Sequence, residues 1–573
     1  MEIQTAAGAK APRDAQKKGQ NFYIMRNKKV AGSPQPDGRG IQFIYEDGDR
    51  LLSSARIVGN IKDEEMISLL KTTEGFRRLV RSIGVSVETE DPDEVVQFVF
   101  QMYGKTDPQG SGTSLRMQVK GDGLERELVL SEAEWSEDDA VPGQIRFEFE
   151  KAGTRASVSV RFYLQDGFTA PEPEEEEPVD TGTAEYRRMI EESLVQAGNP
   201  ARLKRALGKA RAGEDVTVAF IGGSITQGAG AIPINTECYA YKAFCGFCRM
   251  AGKGTEENVR YVKAGVGGTP SELGMIRYER DVLKDGQVVP DIVVVEFAVN
   301  DAGDETGGEC YDSLVRKIWN GPGSPAVILL FAVFVDDWNL QERLIPVGEA
   351  YDLPMVSVKN AVVEQFYRKP GQGRVLSKGQ FFYDCYHPTN MGHTIMADSL
   401  LNLFRVVDMA GEAQDPGSLD RVKAPIGGAF EKVRLLDRTH NAISAEIDCG
   451  SFSGTAREFQ AVERDLDLAA TPEFPDSWFH EAGGGSQAFV MDICCRELLF
   501  VYMDSGSLGV GKAEVFVDGV KALTADPHLN GWAHCNALIC MRDNPGQHRV
   551  EVRMAPGDEE KEFTILGFGY VED

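Results

Sequence analysis

Ser224, Asp384 and His387 are the residues of this sequence that could carry out nucleophilic chemistry. Ser224 follows two glycines directly after the short apolar run 216–221, and Asp384 and His387 lie three residues apart in the segment 383–393. A histidine can take the proton of a serine hydroxyl while a carboxylate holds the imidazole in the required tautomer. The three residues therefore predict a serine nucleophile, its general base and the carboxylate that orients the base.

Two other loops offer hydrogen-bond donors for the negative charge that develops in such a reaction. The glycine-rich loop 265–269 contains Gly268, whose backbone N–H has no side chain beside it, and Asn300 follows the apolar run 292–298. With the backbone N–H of Ser224, Gly268 and Asn300 would form an oxyanion hole, in which each donor is worth about 3 kcal/mol. Taken alone, each loop is better explained as a turn or a helix cap. The order of all four segments along the chain favours a site.

The elements that must position these residues lie in the segment 184–411. Apolar strand-like runs at 216–221, 259–262, 292–298, 326–332 and 355–358 alternate there with amphipathic helical segments. This alternation predicts an α/β domain of three layers, α/β/α, around a parallel sheet with right-handed crossovers. Loops that follow parallel strands meet at one edge of the sheet, so we expect the four segments to converge there.

These four segments resemble the four sequence blocks of the SGNH (GDSL-type) hydrolases. The blocks are the Gly222-Gly223-Ser224 turn, the loop with Gly268, the Asn300-Asp301 pair and the segment from Asp384 to His387. The first block departs from the family's Gly-Asp-Ser, a variation common in its carbohydrate-esterase branches, and the second lacks the asparagine that often precedes it. The resemblance implies ester hydrolysis through an acyl-serine without a metal or cofactor. It also implies an oxyanion hole of Ser224, Gly268 and Asn300.

The rest of the chain divides around this α/β domain. Residues 1–19 are expected to be a disordered tail, and 20–168 a mainly β domain, carbohydrate-binding-like, with helices at 63–80 and 93–103. The segment 169–183 alternates proline with glutamate and is expected to be an extended acidic linker. Residues 412–573 return to alternating strands and turns, which predicts a β-sandwich of the jelly-roll kind.

The net charge and the composition restrict the kinds of molecule that this protein can bind. The formal net charge of −28 disfavours nucleic acids and anionic membranes. No apolar run approaches the ~20 residues of a membrane span, and residues 1–20 lack the apolar core of a secretory signal. These features lead us to expect a cytoplasmic protein. Cys245 and Cys248 form a single C-x-x-C pair that reads as a helix face, so no metal site is predicted.

The predicted substrate is an O-acetylated carbohydrate, such as a plant-type mannan or xylan fragment. The arrangement of outer β domains resembles multi-domain carbohydrate esterases, and no long apolar lid is evident near the site. A lysophospholipase- or thioesterase-like enzyme, and a catalytically inactive carbohydrate-binding protein, are the alternatives. Whether the chain forms a homodimer is left open. The candidate sugar-contacting residues are Trp319, Trp338, Tyr386, Trp478, His480 and Trp532.

Overall fold

The computed structural model describes residues 20–572 apart from 109, 173–175, 252–256, 370, 442–444, 458–459 and 461–472. The predicted disordered tail, 1–19, and the middle of the acidic linker therefore lie outside the described residues. The described chain contains one mixed sheet between two pairs of antiparallel sheets. Among the described residues, no helix is long and apolar enough to cross a bilayer.

The first pair of sheets, in the orders β1-β9-β4-β7 and β2-β3-β8-β5-β6, encloses one apolar core. Three helices, α1 to α3, lie between β3 and β4. The strands are β1 Asn21–Ala31, β2 Ser33–Pro34, β3 Gly40–Tyr45, β4 Val80–Thr89, β5 Val95–Gly104, β6 Ser114–Lys120, β7 Arg126–Val129, β8 Asp139–Phe149 and β9 Arg155–Leu164, and the helices are α1 Arg50–Ile57, α2 Glu64–Leu69 and α3 Thr73–Leu79.

Two helical predictions in this region require correction. The segment expected to be a helix at 93–103 is strand β5, in which Val96, Phe98 and Phe100 point alternately into the core and are fully buried. This spacing of two is the period of a strand, and the apolar Val95 and Val99, which lie outside the alternation, concealed it. The predicted helix 63–80 is two helices, because Thr72 begins α3 anew by accepting the N–H of Gly75.

The central sheet has six strands in the order β10-β15-β14-β13-β11-β12. Strands β11 to β15 are parallel, but β10 pairs with β15 antiparallel, which corrects the prediction of a purely parallel sheet. Strand β10 follows α4 before the first β-α-β crossover, so no crossover requires it to run parallel. The strands are β10 Leu194–Gln196, β11 Val216–Gly222, β12 Val259–Gly265, β13 Ile292–Glu296, β14 Ala326–Phe331 and β15 Met355–Ser357.

Helices cover both faces of this sheet. Alternate residues of β11 face opposite layers: Val218 and Phe220 belong to one apolar core, and Ala219 and Ile221 to the other. This arrangement has the three layers that the alternation predicted. The helices are α4 Ala184–Glu191, α5 Ala201–Ala212, α6 Ser224–Gln227, α7 Ile234–Glu237, α8 Tyr239–Ala251, α9 Ser271–Asp281, α10 Glu309–Trp319, α11 Gln341–Ala350, α12 Val358–Tyr367, α13 Lys378–Phe381 and α14 Asn390–Met409.

The second pair of antiparallel sheets follows α14, in the orders β16-β25-β20-β23, with β18 beside β25, and β17-β19-β24-β21-β22. The first of these sheets packs on α9: a Cβ atom at Gly569 would lie 2.7 Å from the Ile276 side chain. The strands are β16 Arg434–Leu436, β17 Glu446–Asp448, β18 Trp478–His480, β19 Phe489–Cys495, β20 Glu497–Asp504, β21 Ala513–Val517, β22 Val520–Ala525, β23 His534–Met541, β24 Gly546–Met554 and β25 Phe563–Val571.

Candidate active site

Ser224 begins the short helix α6 directly after β11, at the edge where the parallel strands end. The two preceding glycines are required by close packing. A Cβ atom at Gly222 would lie 2.2 Å from Thr226 Oγ1, and one at Gly223 would lie 2.3 Å from Asn300 Oδ1. The residue before Ser224 can therefore lie against the Asn300 side chain, and the turn can pack on Thr226, only because both positions lack a side chain.

Ser224, His387 and Asp384 form a continuous hydrogen-bonded chain. The Nε2 atom of His387 lies 2.9 Å from Ser224 Oγ, and its Nδ1 atom lies 2.9 Å from Asp384 Oδ2. The other carboxylate oxygen, Asp384 Oδ1, accepts the backbone N–H groups of Tyr386 and His387, each at 2.8 Å. This geometry lets His387 take the serine proton while the carboxylate fixes the ring.

The surroundings of Asp384 keep it ionised. Burial by itself would raise its pKa, but the charge of His387 and its hydrogen bond, followed by the charge of Lys28 and the backbone N–H of Tyr386, lower the pKa of Asp384 well below its usual range. An ionised carboxylate is the form that accepts the Nδ1 proton and stabilises the imidazolium during the reaction.

The two predicted oxyanion-hole loops lie beside the turn that carries Ser224, and a hydrogen bond joins them to each other. Gly268 has a φ of +69°, a conformation that favours glycine. Asp301, next to Asn300, is buried, and its Oδ1 atom accepts the backbone N–H of Ser271 at 2.8 Å. One carboxylate therefore connects the loop that carries Gly268 to the loop that carries Asn300. Donors held in this way require no reorganisation when negative charge develops.

Residues 220–395 match the family of GDSL-like lipases and acylhydrolases. The central domain is a GDSL-type hydrolase domain. Among solved structures, the chain is similar to a two-domain esterase (CEX) active on acetylated mannans, with 26% identity, a TM-score of 0.55, and coverage of 67% of this chain and 99% of that one. No curated protein matches this sequence.

The same esterase co-crystallised with mannopentaose is similar in fold, with 24% identity, a TM-score of 0.55, and coverage of 67% of this chain and 98% of that one. The family match and the esterase similarity identify the chain as a carboxylic ester hydrolase of SGNH type. The α/β class predicted from the strand–helix alternation agrees with this assignment.

The first pair of sheets contributes to the GDSL-type site, which the sequence did not predict. Lys28 Nζ donates a hydrogen bond of 2.6 Å to the backbone oxygen of Tyr383, the residue before Asp384, and lies 3.7 Å from the centre of the Tyr383 ring. Arg50 lies over the Tyr386 ring at 5.1 Å. Burial raises the pKa of the neighbouring Glu46 to about 8, although the charge of Lys28 opposes this.

The second pair of sheets contributes Trp532 and His534 to the part of the site that holds Gly268. A Cβ atom at Gly268 would lie 2.5 Å from the Trp532 ring and 2.9 Å from the His534 ring. His534 Nε2 donates to the Gly268 carbonyl oxygen at 2.9 Å, and its Nδ1 lies 3.0 Å from Asp504 Oδ2. Trp532, a predicted sugar-contacting residue, therefore lies beside the loop that carries Gly268.

The remaining predicted aromatic residues separate into two groups. Trp338 stacks on Phe334 at 5.9 Å, Phe334 contacts Tyr386 edge-on at 4.9 Å, and the Tyr386 ring lies 6.2 Å from the His387 ring. These residues form one partly exposed surface beside the base. The other group is removed from the candidate set because its members are buried in apolar cores or between sheets, at 3%, 3% and 1% exposure: Trp319, Trp478 and His480.

His393, one turn into α14, is buried and serves the scaffold. Its Nδ1 atom accepts the backbone N–H of Tyr239 at 3.1 Å, and its Nε2 donates to the Ala229 oxygen at 3.1 Å. Burial lowers the pKa of His393 to about 3, so the ring is neutral at physiological pH. Its two hydrogen bonds hold the loop after Ser224 against α14.

Proposed function

We propose that this hydrolase removes O-acetyl groups from carbohydrates, with acetylated mannan or xylan oligosaccharides as substrates. The observation that carries the proposal is the Ser224–His387–Asp384 hydrogen-bonded chain beside Gly268 and Asn300. The similarity to an esterase active on acetylated mannans supports the carbohydrate substrate. The partly exposed aromatic surface of Trp338 and Tyr386, together with Trp532 beside Gly268, is suited to the apolar faces of sugar rings.

The reaction proceeds in two steps. In the first, Ser224 Oγ forms a bond to the acetyl carbonyl carbon while His387 Nε2 takes its proton, and the backbone N–H groups of Ser224 and Gly268 and the Asn300 amide bind the oxyanion. The carbon–oxygen bond to the sugar then breaks, and His387 returns the proton to the sugar oxygen. In the second step, water attacks the acetyl-serine and His387 takes a proton from that water. The bond between the acetyl carbon and Ser224 Oγ then breaks, His387 gives the proton to Ser224 Oγ, and acetate leaves.

The proposal is tested by measuring acetate release from acetylated mannan and xylan oligosaccharides, an acetylated monosaccharide and a lysophospholipid, with wild type and Ser224→Ala. We expect acetate from one glycan class and none from the variant. A series of 4-nitrophenyl esters from acetate to decanoate should show a maximum at acetate.

Two outcomes would contradict the proposal. Turnover of the lysophospholipid, or a preference for long acyl chains, would indicate a lipase- or thioesterase-like enzyme with the same nucleophile. Binding of glycans without any hydrolysis, and without labelling of Ser224 by a fluorophosphonate, would indicate a carbohydrate-binding protein.

A further inference from the structure

A cavity of about 100 Å³ opens between the first pair of sheets and the catalytic domain, directly beside the base. One wall is formed by the loop after Ser224, residues 229–234, together with Tyr383, Asp384 and His387. The other wall is formed by strand β3 and its neighbours, including Phe43 and Tyr45. The cavity therefore has catalytic residues on one side and another domain on the other.

The chemistry of ester cleavage indicates which part of the substrate lies nearest to this cavity. His387 returns its proton to the oxygen that leaves, so the leaving alcohol lies on the His387 side of the reacting carbonyl. Ser224, Gly268 and Asn300 do not line the cavity. The acetyl group therefore lies outside the cavity, which extends from His387 on the side of the leaving sugar.

The wall formed by β3 has the composition of a sugar site. Ile44 points into the sandwich core and is 3% exposed, whereas Phe43 and Tyr45, on the opposite face of the strand, are partly exposed. Polar residues also line the cavity, among them Gln42 and Arg155. Aromatic faces with a few polar groups suit a pyranose better than an alkyl chain, which requires a continuous apolar channel.

Direct contacts hold the domain that contains β3 against the segment that carries Asp384 and His387. Lys28 on β1 hydrogen bonds to the Tyr383 backbone oxygen at 2.6 Å, and Arg50 on α1 lies over the Tyr386 ring. Both contacts reach the segment that carries Asp384 and His387. The position of Phe43 and Tyr45 relative to the base is therefore set by packing and does not depend on the acidic linker.

We infer that Phe43 and Tyr45 form a subsite for the sugar residue that adjoins the acetylated residue. This inference rests on the proposed function, because it presumes a glycan substrate. It assigns to the first pair of sheets a role in selecting oligosaccharides over single acetylated sugars. It also predicts that the subsite affects long substrates only, since short esters do not reach it.

The test compares Tyr45→Ala and Phe43→Ala with wild type on three esters: O-acetylated mannotetraose, an O-acetylated methyl mannoside and 4-nitrophenyl acetate. Loss of one stacking ring corresponds to about a tenfold decrease in kcat/KM. We expect this decrease for the tetrasaccharide and less than about a twofold change for the two short esters. Ile41→Ala is the matched control, since Ile41 lies on the same face of β3 and is not among the residues that line the cavity.

The outcomes separate the inference from the proposed function. A wild-type protein that hydrolyses the tetrasaccharide, with variants that hydrolyse it equally well, would overturn the subsite alone. A wild-type protein that hydrolyses 4-nitrophenyl acetate but neither sugar ester would overturn the proposed function and the subsite with it. Equal losses on all three esters would show that the substitutions disturb the catalytic loop, and would also overturn the subsite.

Discussion

The imidazole of His534 donates a hydrogen bond to the backbone oxygen of Gly268 at 2.9 Å, across 266 positions of sequence. The two residues belong to different domains. The oxygen that His534 binds belongs to the same residue as the Gly268 N–H, so the contact restrains the backbone of a predicted oxyanion donor. His534 is itself held by Asp504, whose carboxylate is completely buried. The second pair of sheets thus acts on the geometry of the reaction centre.

Replacing His534 by alanine should lower kcat for 4-nitrophenyl acetate by about tenfold, because removal of a whole oxyanion donor costs about 100- to 1,000-fold and misalignment costs less. KM should change little. His548→Ala is the matched control: His548 also contacts a carboxylate, Asp518, and a backbone oxygen, that of Asn544, but within its own domain. Equal losses in the two variants would show that His534 stabilises the domain only.

Substitutions in the hydrogen-bonded chain should differ in severity. We expect Ser224→Ala to remove all measurable turnover and His387→Ala to lower kcat by at least about 10⁴-fold, whereas Asp384→Ala loses a smaller factor because orientation of the base costs less than its removal. Steady-state hydrolysis of 4-nitrophenyl acetate measures this order. Comparable activity in Ser224→Ala would contradict the assignment of the nucleophile.

Lys28→Met should change the pH dependence of the reaction. Lys28 and protonated His387 both lie beside the Asp384 carboxylate, and both lower its pKa. Removing the Lys28 cation should therefore strengthen the hold of Asp384 on protonated His387, and move the acidic limb of kcat/KM upward by about 0.5 pH unit. The titratable Glu46 and the charged Arg50 also lie near this position.

The neighbouring exposed lysine provides the control for this measurement. Lys29→Met removes the same charge from the same strand, and Lys29 is exposed to solvent. Its profile should match that of wild type. An unchanged acidic limb in Lys28→Met would show that Lys28 does not act on the base, even if its loss lowered the thermal stability.

Buried carboxyl groups beneath the oxyanion loops should make stability depend on pH. Burial, as the largest cause, raises the pKa of Glu272 to about 9, of Glu296 to about 8 and of Asp301 to about 7. Between pH 5 and these values the folded chain keeps protons that the unfolded chain has lost, so stability falls as pH rises through this interval.

Glu296→Gln should flatten this dependence. The variant keeps an acceptor for the Thr226 hydroxyl, which Glu296 Oε2 accepts at 3.0 Å, and it cannot ionise. We expect its melting temperature to exceed that of wild type increasingly from pH 5 to pH 8. Glu349→Gln, at an exposed position of α11, changes the same charge and should follow wild type. Parallel curves for all three proteins would contradict the assigned cause.

The central domain is the part of the fold that the sequence predicts most accurately. The predicted strands at 216–221, 292–298 and 326–332 correspond to β11, β13 and β14, with ends that differ by no more than two residues. Buried parallel strands are short apolar runs bounded by turns, which a local pattern reveals. The antiparallel direction of β10 was not predicted, because three residues carry no signal of direction.

The domain contacts could not be predicted in the same way. Lys28 and His534 look like ordinary polar residues in strand-like segments, and their roles arise only from the docking of one domain on another. Trp478 was predicted to contact sugar but lies in a core, because the sequence alone does not distinguish an aromatic residue of a core from one of a cleft. Its ring packs edge-on against Phe489 inside the second pair of sheets.

In the sequence, Lys28 precedes the central domain and His534 follows it. Each of them contacts a different loop near Ser224. During synthesis on a ribosome, Ser224, His387 and the His393 that holds the loop after Ser224 all emerge before residue 400, whereas the loop with Gly268 gains its contact with His534 only after residue 534. A fragment cut out at the boundaries of the central domain would be a poor surrogate for the whole enzyme.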